Sequence, residues 1–123
     1  VMVCWDASRV ATRAIADAMP LLAQAEAVSV TIVDPTPGED GYGEEPGADI
    51  AAVIARHGAT VTVDRLPSAG ASTAERLGQA ASDGGFDMMV MGGYGHSRLR
   101  EALFSGVSRS LFEAPPVPLF TAH

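Results

Sequence analysis

The chain has 123 residues, which is enough for one domain with a substantial core and too few for two. Its hydrophobic share of 47% and charged share of 19% are typical of a globular α/β protein. The net charge of -7 and the pI near 4.7 argue against nucleic acid or an anionic membrane as partner, because nothing supplies a basic face.

Five strands are predicted from short apolar or alternating runs that are bounded by turn residues. They cover residues 1–5, 28–33, 60–66, 87–91 and 117–121. The first and fourth are continuous apolar runs, as in buried central strands. The third alternates apolar and polar residues, which predicts an edge strand with one wet face. Pro118 cannot donate a ladder hydrogen bond, so the last strand is an edge strand or begins there.

The first strand already contains the first residue, Val1, so we expect that residues precede it or that the chain is one half of a longer protein. One cysteine, Cys4, excludes an internal disulfide and fits a reducing compartment. No apolar run approaches the roughly 20 residues of a membrane span, and no signal-peptide pattern is seen. We therefore expect a cytoplasmic location.

Four helices are predicted from apolar residues at helical spacing. The first follows an N-cap at Ser8 or Asp6, and Pro20 should kink or tighten it near its end. The second covers 48–57 and is closed by Gly58. The third is capped by Ser72, with Glu75 at capping-box spacing, and runs to about residue 82. The fourth covers about 106–113, after a short helical stretch around 99–104.

Residues 34–47 form a segment rich in proline, glycine and acidic residues, with almost nothing apolar. Such a composition is typical of a mobile surface loop. We expect it to add nothing to the core.

The alternation of strands and helices predicts one domain, 1–123, with an α/β doubly wound parallel sheet and helices on both faces. In such sheets ligands bind at the carboxyl ends of the strands, where the winding reverses. With the first and fourth strands central, that crevice would bring Asp6 close to residues 92–95.

The strongest functional signal is the glycine-rich turn after the fourth strand, with Gly92, Gly93 and Gly95, followed by Ser105-Gly106 at the start of a helix. Glycine lets the backbone approach a ligand closely, and a helix N-terminus attracts an anion. Together they predict a phosphate cradle. Gly92-x-x-Gly95 alone is as often a plain turn, and it matches neither a Walker A loop nor a dinucleotide fingerprint.

The chain resembles the universal stress protein family along nearly its whole length. The features that carry the resemblance are Trp5-Asp6-Ala7-Ser8, the segment 88–99 (MMVMGGYGHSRL), Ser105-Gly106-Val107-Ser108 and the closing segment 114–119 (APPVPL). The resemblance implies the adenine nucleotide alpha hydrolase-like fold, with five parallel strands in the order 3-2-1-4-5.

ATP-binding members of that family carry Gly-x2-Gly-x9-Gly-[Ser/Thr]. Gly92 and Gly95 match the first two positions, whereas Ser105 and Gly106 depart from the last two. The departure removes a hydroxyl donor to a terminal phosphate and adds a Cβ where backbone comes close. The resemblance therefore implies ATP or another adenine nucleotide as ligand, bound more weakly than in those members, or not at all.

The resemblance also implies roles for individual residues. Asp6 would contact the adenosine and Val33 the base, while ribose and phosphates would be lined by Met91, Gly92, Gly95, His96 and the backbone of Ser105, Gly106 and Val107. For Asp6 the alternative is a helix N-cap, and for Val33 it is core packing. Trp5 could stack on an adenine, obstruct it, or belong to the core or a dimer face. His96, with Arg98 and Arg100, could supply local positive charge, although a solvated surface suits the arginines better.

The leading interpretation is a stress-response protein that senses or regulates through an adenine nucleotide, as a homodimer joined by its last strand or with a tandem domain partner. The alternative is a dimerisation or interaction module without nucleotide. The sequence contains no metal-ligand spacing and no catalytic constellation, so an enzyme, at best a slow ATPase or self-phosphorylating protein, ranks lower.

Overall fold

The computed structural model describes residues 1–39, 41–93, 111 and 113–122. The strands in this part of the chain are β1 (Met2–Cys4), β2 (Val28–Val33), β3 (Val61–Leu66), β4 (Met89–Gly92) and β5 (Leu119–Ala122). The helices are α1 (Arg9–Gln24), α2 (Ala48–Arg56) and α3 (Thr73–Asp83). Leu111 and Glu113 are also helical, within the predicted fourth helix. The rest of that helix, and the stretch 99–104, lie outside the described residues.

The strands form one parallel sheet in the order β3-β2-β1-β4-β5, which confirms the predicted order and class. Val3 of the central β1 pairs with Val30 on one side and Val90 on the other. Because helices cover both faces, the central strands are buried on both sides, and this is why they read as unbroken apolar runs.

The two faces of the sheet carry separate core clusters. On one face Val3, Val30 and Val90 pack with α1 and α2, whose buried members include Ile15 and Ile54. The opposite face has Met2, Cys4, Met89 and Met91 packed with α3 and Leu111. Successive residues of a strand point to opposite faces, so one apolar run supplies both clusters.

Polar side chains define where the helices begin. The Ser8 hydroxyl accepts a hydrogen bond from the Ala11 N–H at 3.1 Å, so Ser8 is the N-cap of α1. Ser72 does the same for α3, accepting from the Glu75 N–H at 3.1 Å, as predicted. Pro20 lies inside α1, and the helix continues beyond it to Gln24.

The predicted edge strands lie at the edges. Thr62 and Asp64 of β3 are exposed, which gives this strand its wet face. At the other edge, β5 begins just after Pro118, whose carbonyl accepts from the Met89 N–H at 2.9 Å. The proline therefore takes part only as an acceptor, as its missing N–H requires. No described helix is both long and apolar enough to cross a membrane.

The expectation that segment 34–47 adds nothing to the core is wrong. We call its residues 35–39 and 41–47 the strap. Pro46 and Gly47 are buried, and Tyr42 packs against the cluster that contains α1 and α2. A Cβ on Gly47 would lie 2.9 Å from Ile32 Cδ1, so the backbone rests directly on the sheet's side chains.

Both ends of the strap are fixed to the sheet. At its start, Asp34 accepts a hydrogen bond from the Ser68 N–H at 3.0 Å, and the Asp34 N–H donates to the Leu66 carbonyl at 2.9 Å. At its end, Arg65 Nε donates to the Pro46 carbonyl at 3.0 Å. These contacts join residues far apart in sequence, so the local composition could not predict them.

Candidate functional site at the strand ends

The winding of the sheet reverses between β1 and β4. α1 and α2 pack on one face and α3 on the other, so the connections leave these two central strands in opposite directions. In sheets of this type ligands bind at the carboxyl ends of the two strands where the winding reverses, and we call this edge between β1 and β4 the crevice. Asp6 follows β1 and Gly92 ends β4, so parallel pairing places both at this edge, as predicted.

Asp6 is the polar side chain best placed to meet a ligand here. It is half-buried, and its Oδ1 accepts a hydrogen bond from the Ser8 N–H at 3.0 Å. This bond fixes the carboxylate across a tight turn in which Ala7 has a φ of 61°. Since Ser8 is the N-cap, the N-cap alternative for Asp6 is wrong. The bond from Ser8 uses Oδ1, which leaves Oδ2 as the oxygen that a ligand would contact.

Gly92 is where the first turn of α1 touches the sheet. A Cβ built on Gly92 would lie 2.6 Å from the Ala11 nitrogen and 2.6 Å from the Val10 carbonyl carbon. Real Cβ atoms do not come this close to backbone, so only glycine fits without moving the helix. From the sequence, a glycine at this position was explained by the close approach of a ligand to the backbone. The structure adds a second explanation, packing against α1, which requires no ligand.

Trp5 lies in the core. Its side chain is 9% exposed and packs in the cluster with Ala11, Ile32 and Ile50. Its N–H donates to the Thr31 carbonyl at 3.0 Å, which continues the β1–β2 ladder by one residue. Of the alternatives for Trp5, burial favours core packing, and only the small exposed part of the ring could touch a base.

The side chains of Met91 and Val33 face the α3 side of the sheet. Met91 is 1% exposed, so only its backbone is available to a ligand. Val33 is partly buried against the same cluster, beside the crevice. Core packing therefore explains the position of the Met91 side chain fully and that of the Val33 side chain in part. The other predicted site residues are outside the described part of the chain: Gly95, His96, Ser105, Gly106 and Val107.

The strap reaches the crevice, which the sequence did not indicate. Gly41 has a φ of +84°, and a Cβ on it would lie 3.3 Å from Ala7 Cβ. The strap thus lies close to the residue next to Asp6. Tyr42, an aromatic residue in an otherwise polar segment, was the signal that could have revealed this contact. Within the described residues, no group of three or more His, Cys, Asp or Glu could hold a metal ion.

Cys4 lies directly below the crevice, and we expect its thiol to be inert. Burial, with the nearby Asp6 charge as a second cause, raises the pKa of Cys4 to about 12. At pH 8 this lowers the thiolate fraction about a thousandfold relative to an exposed cysteine. Ellman's reagent should therefore label the thiol only after unfolding in guanidinium. Rapid stoichiometric labelling of the native protein would contradict the burial.

Comparison with known proteins identifies the fold of this chain through solved structures. No family model and no curated protein matches the sequence. A universal stress protein solved in complex with cAMP matches with a TM-score of 0.68 and 20% identity, over 99% of this chain and 94% of that chain. A protein from the universal stress protein family from Burkholderia pseudomallei matches with a TM-score of 0.61 and 23% identity, over 98% and 94%. The chain therefore has the universal stress protein fold along nearly its whole length.

Proposed function

We propose that this protein is a universal stress protein domain that binds an adenine nucleotide in the crevice between β1 and β4. Asp6 accepts hydrogen bonds from the adenosine part, and the backbone from Gly92 onward lies against the ribose and phosphates. Binding changes the state of the domain, which then acts through a partner. The role is sensing or regulation in the stress response, in the cytoplasm.

The observation that carries this proposal is the placement of Asp6. Its carboxylate is held by the Ser8 N–H at the reversal point of the sheet, with one oxygen left for a ligand. A fixed, half-buried acceptor at this edge is what a hydroxyl or amino group of a nucleoside requires. The solved universal stress protein with cAMP supports an adenine nucleotide as the ligand class.

For the partner we propose a second copy of this domain, or a tandem domain, joined along β5. In the described residues β5 pairs with β4 on one side only, so its other side has backbone groups for a further strand.

The alternative is an interaction module that binds no nucleotide. Two observations favour it: Trp5 is explained by core packing, and Gly92 by its contact with α1. The Ser105-Gly106 departure from the ATP motif points the same way. In this case the crevice is a structural remnant, and the function resides in the β5 edge.

Calorimetric titration with ATP, AMP and cAMP decides between the nucleotide-binding domain and the interaction module. The proposal expects saturable heat for at least one of these ligands below millimolar concentration. No heat from any of them at millimolar concentration would leave the interaction module as the function.

Replacing Asp6 by asparagine should weaken binding of the best ligand about tenfold, because the charged acceptor is lost. Asparagine keeps an oxygen for the Ser8 N–H, so the turn and the thermal stability should be retained. Asp83→Asn, which makes the same charge change at the exposed far end of α3, serves as control. Equal affinity of the two variants would remove Asp6 from the site.

A further inference from the structure

We infer that Arg76 binds the base of the nucleotide, at the end of the crevice opposite the phosphates, an inference that rests on the proposed function. Arg76 lies in the first turn of α3, outside every motif in the sequence. Its role as a specificity-determining residue follows from the direction in which the nucleotide lies, from the position of the side chain, and from the chemistry of a guanidinium group.

The order of the strands sets the direction of the nucleotide. Asp6, after β1, takes the adenosine part, and the phosphates follow the backbone from Gly92, on the β4 side of β1. The base and the phosphates are attached to opposite ends of the ribose. The base therefore extends to the other side of β1, where the neighbouring strand β2 ends at the partly buried Val33.

Two sets of contacts place Arg76 beside Val33. In the register of the sheet Val33 pairs with Leu66, and the carbonyl of the next residue, Pro67, accepts a hydrogen bond from Arg76 Nε at 2.9 Å. Val33 also packs against the cluster to which α3 contributes Leu77, the residue after Arg76. Arg76 thus lies at the carboxyl ends of β2 and β3, on the face of the sheet to which Val33 points.

The same position keeps Arg76 away from the phosphates. β3 is the direct neighbour of β2, but β2 and β1 separate it from β4. At the usual spacing of strands, β3 and β4 are about 14 Å apart. The bond to Pro67 holds the guanidinium at the β3 end of this distance. A contact with the base is therefore expected, and a contact with the phosphates is not.

Arg76 is also the better prepared of the described arginines to hold a ligand. Its side chain is half-buried, whereas those of Arg9, Arg13, Arg56 and Arg65 are exposed. The bond to Pro67 uses Nε, which leaves the two Nη nitrogens and the flat faces of the guanidinium for a base. Arginine planes stack on bases, and their N–H groups donate to ring nitrogens such as N7 of adenine.

The test measures the affinity of Arg76→Ala for adenosine, AMP and ATP by calorimetry. We expect a loss of about tenfold, the size of a cation–π contact that is shielded from water. Because all three ligands carry the same base, the factor should be the same for each of them. A loss that grows from adenosine to ATP would mean that Arg76 acts on the phosphates, and would overturn the inference.

Two further variants separate a base contact from charge and from loop structure. Arg76→Lys keeps the positive charge and a donor for the Pro67 carbonyl, but it loses the planar group. We expect it to lose several-fold affinity for all three ligands. Arg65→Ala is the matched control: its Nε donates to the Pro46 carbonyl at 3.0 Å, and Arg65 lies on the opposite face of β3. Its affinity should equal that of wild type.

The outcomes distinguish this inference from the proposed function. Wild type that binds these ligands, together with unchanged affinity of Arg76→Ala or Arg76→Lys, would overturn the role of Arg76 and leave nucleotide binding intact. An equal loss in Arg65→Ala would also overturn it, since any arginine near β3 would then serve. Absence of binding by wild type to all three ligands would overturn the proposed function and the inference with it.

Discussion

Gly92→Ala is expected to lower the free energy of unfolding by about 3 kcal/mol, the upper part of the usual range for forcing extra volume into a packed site. The added methyl would lie 2.6 Å from backbone atoms of Val10 and Ala11, which cannot rotate away as a side chain could. Relief requires the first turn of α1 to move off the sheet. Urea unfolding followed by circular dichroism measures the loss.

Gly43→Ala is the matched control, since a Cβ there would meet nothing within 4 Å. We expect it to change stability by less than about 0.5 kcal/mol. If Gly92→Ala were as stable as Gly43→Ala, the contact between α1 and the end of β4 would be wrong. Because that contact also shapes the crevice, nucleotide binding should weaken in Gly92→Ala even under conditions where the protein is fully folded.

Trp5→Ala is expected to cost about 4 kcal/mol, as is typical for removing a large aromatic side chain from a core. The residue is 9% exposed and packs against α1, β2 and α2 together, so its loss leaves a cavity that several elements line. Trp5 is the single tryptophan, so its fluorescence reports on this site alone. Its emission should shift to the red when the protein unfolds.

Two further variants separate core packing from stacking on a base. Leu21→Ala, at a side chain that is 48% exposed, should cost less than about 1 kcal/mol. Trp5→Phe keeps most of the buried area and should retain both fold and nucleotide affinity. Full stability of Trp5→Ala together with lost affinity would instead mean that the ring serves the ligand and not the core.

The sheet could be predicted from sequence because its signals are local. Apolar runs such as 28–33, bounded by turn residues, identify strands, and a capping serine such as Ser72 marks a helix start. The order of the strands needed the family resemblance, and the two solved structures of the same fold agree with it. Where the structure describes them, the predicted elements differ only in their terminal residues.

The candidate site was less predictable, because its geometry depends on contacts between distant parts of the chain. Ser8 and Asp6 are equally good N-caps by residue type, and only the hydrogen bonds assign the cap to Ser8. Burial of Trp5 depends on α2, and the buried end of the strap depends on Ile32 and Val63. The phosphate-cradle hypothesis around Gly95 and Ser105-Gly106 stays a prediction, since those residues are outside the described part of the chain.

The central position of β1 has a consequence for how this protein is synthesised. A nascent chain can pair β1 with β2, and β2 with β3, early, but β4, the partner on the other side of β1, is synthesised only from residue 89 onward. Until then one edge of β1 has no neighbour, and its apolar face is a target for chaperones. The edge between β1 and β4 therefore forms only when β4 joins the sheet, so the proposed nucleotide could bind only after translation has passed β4.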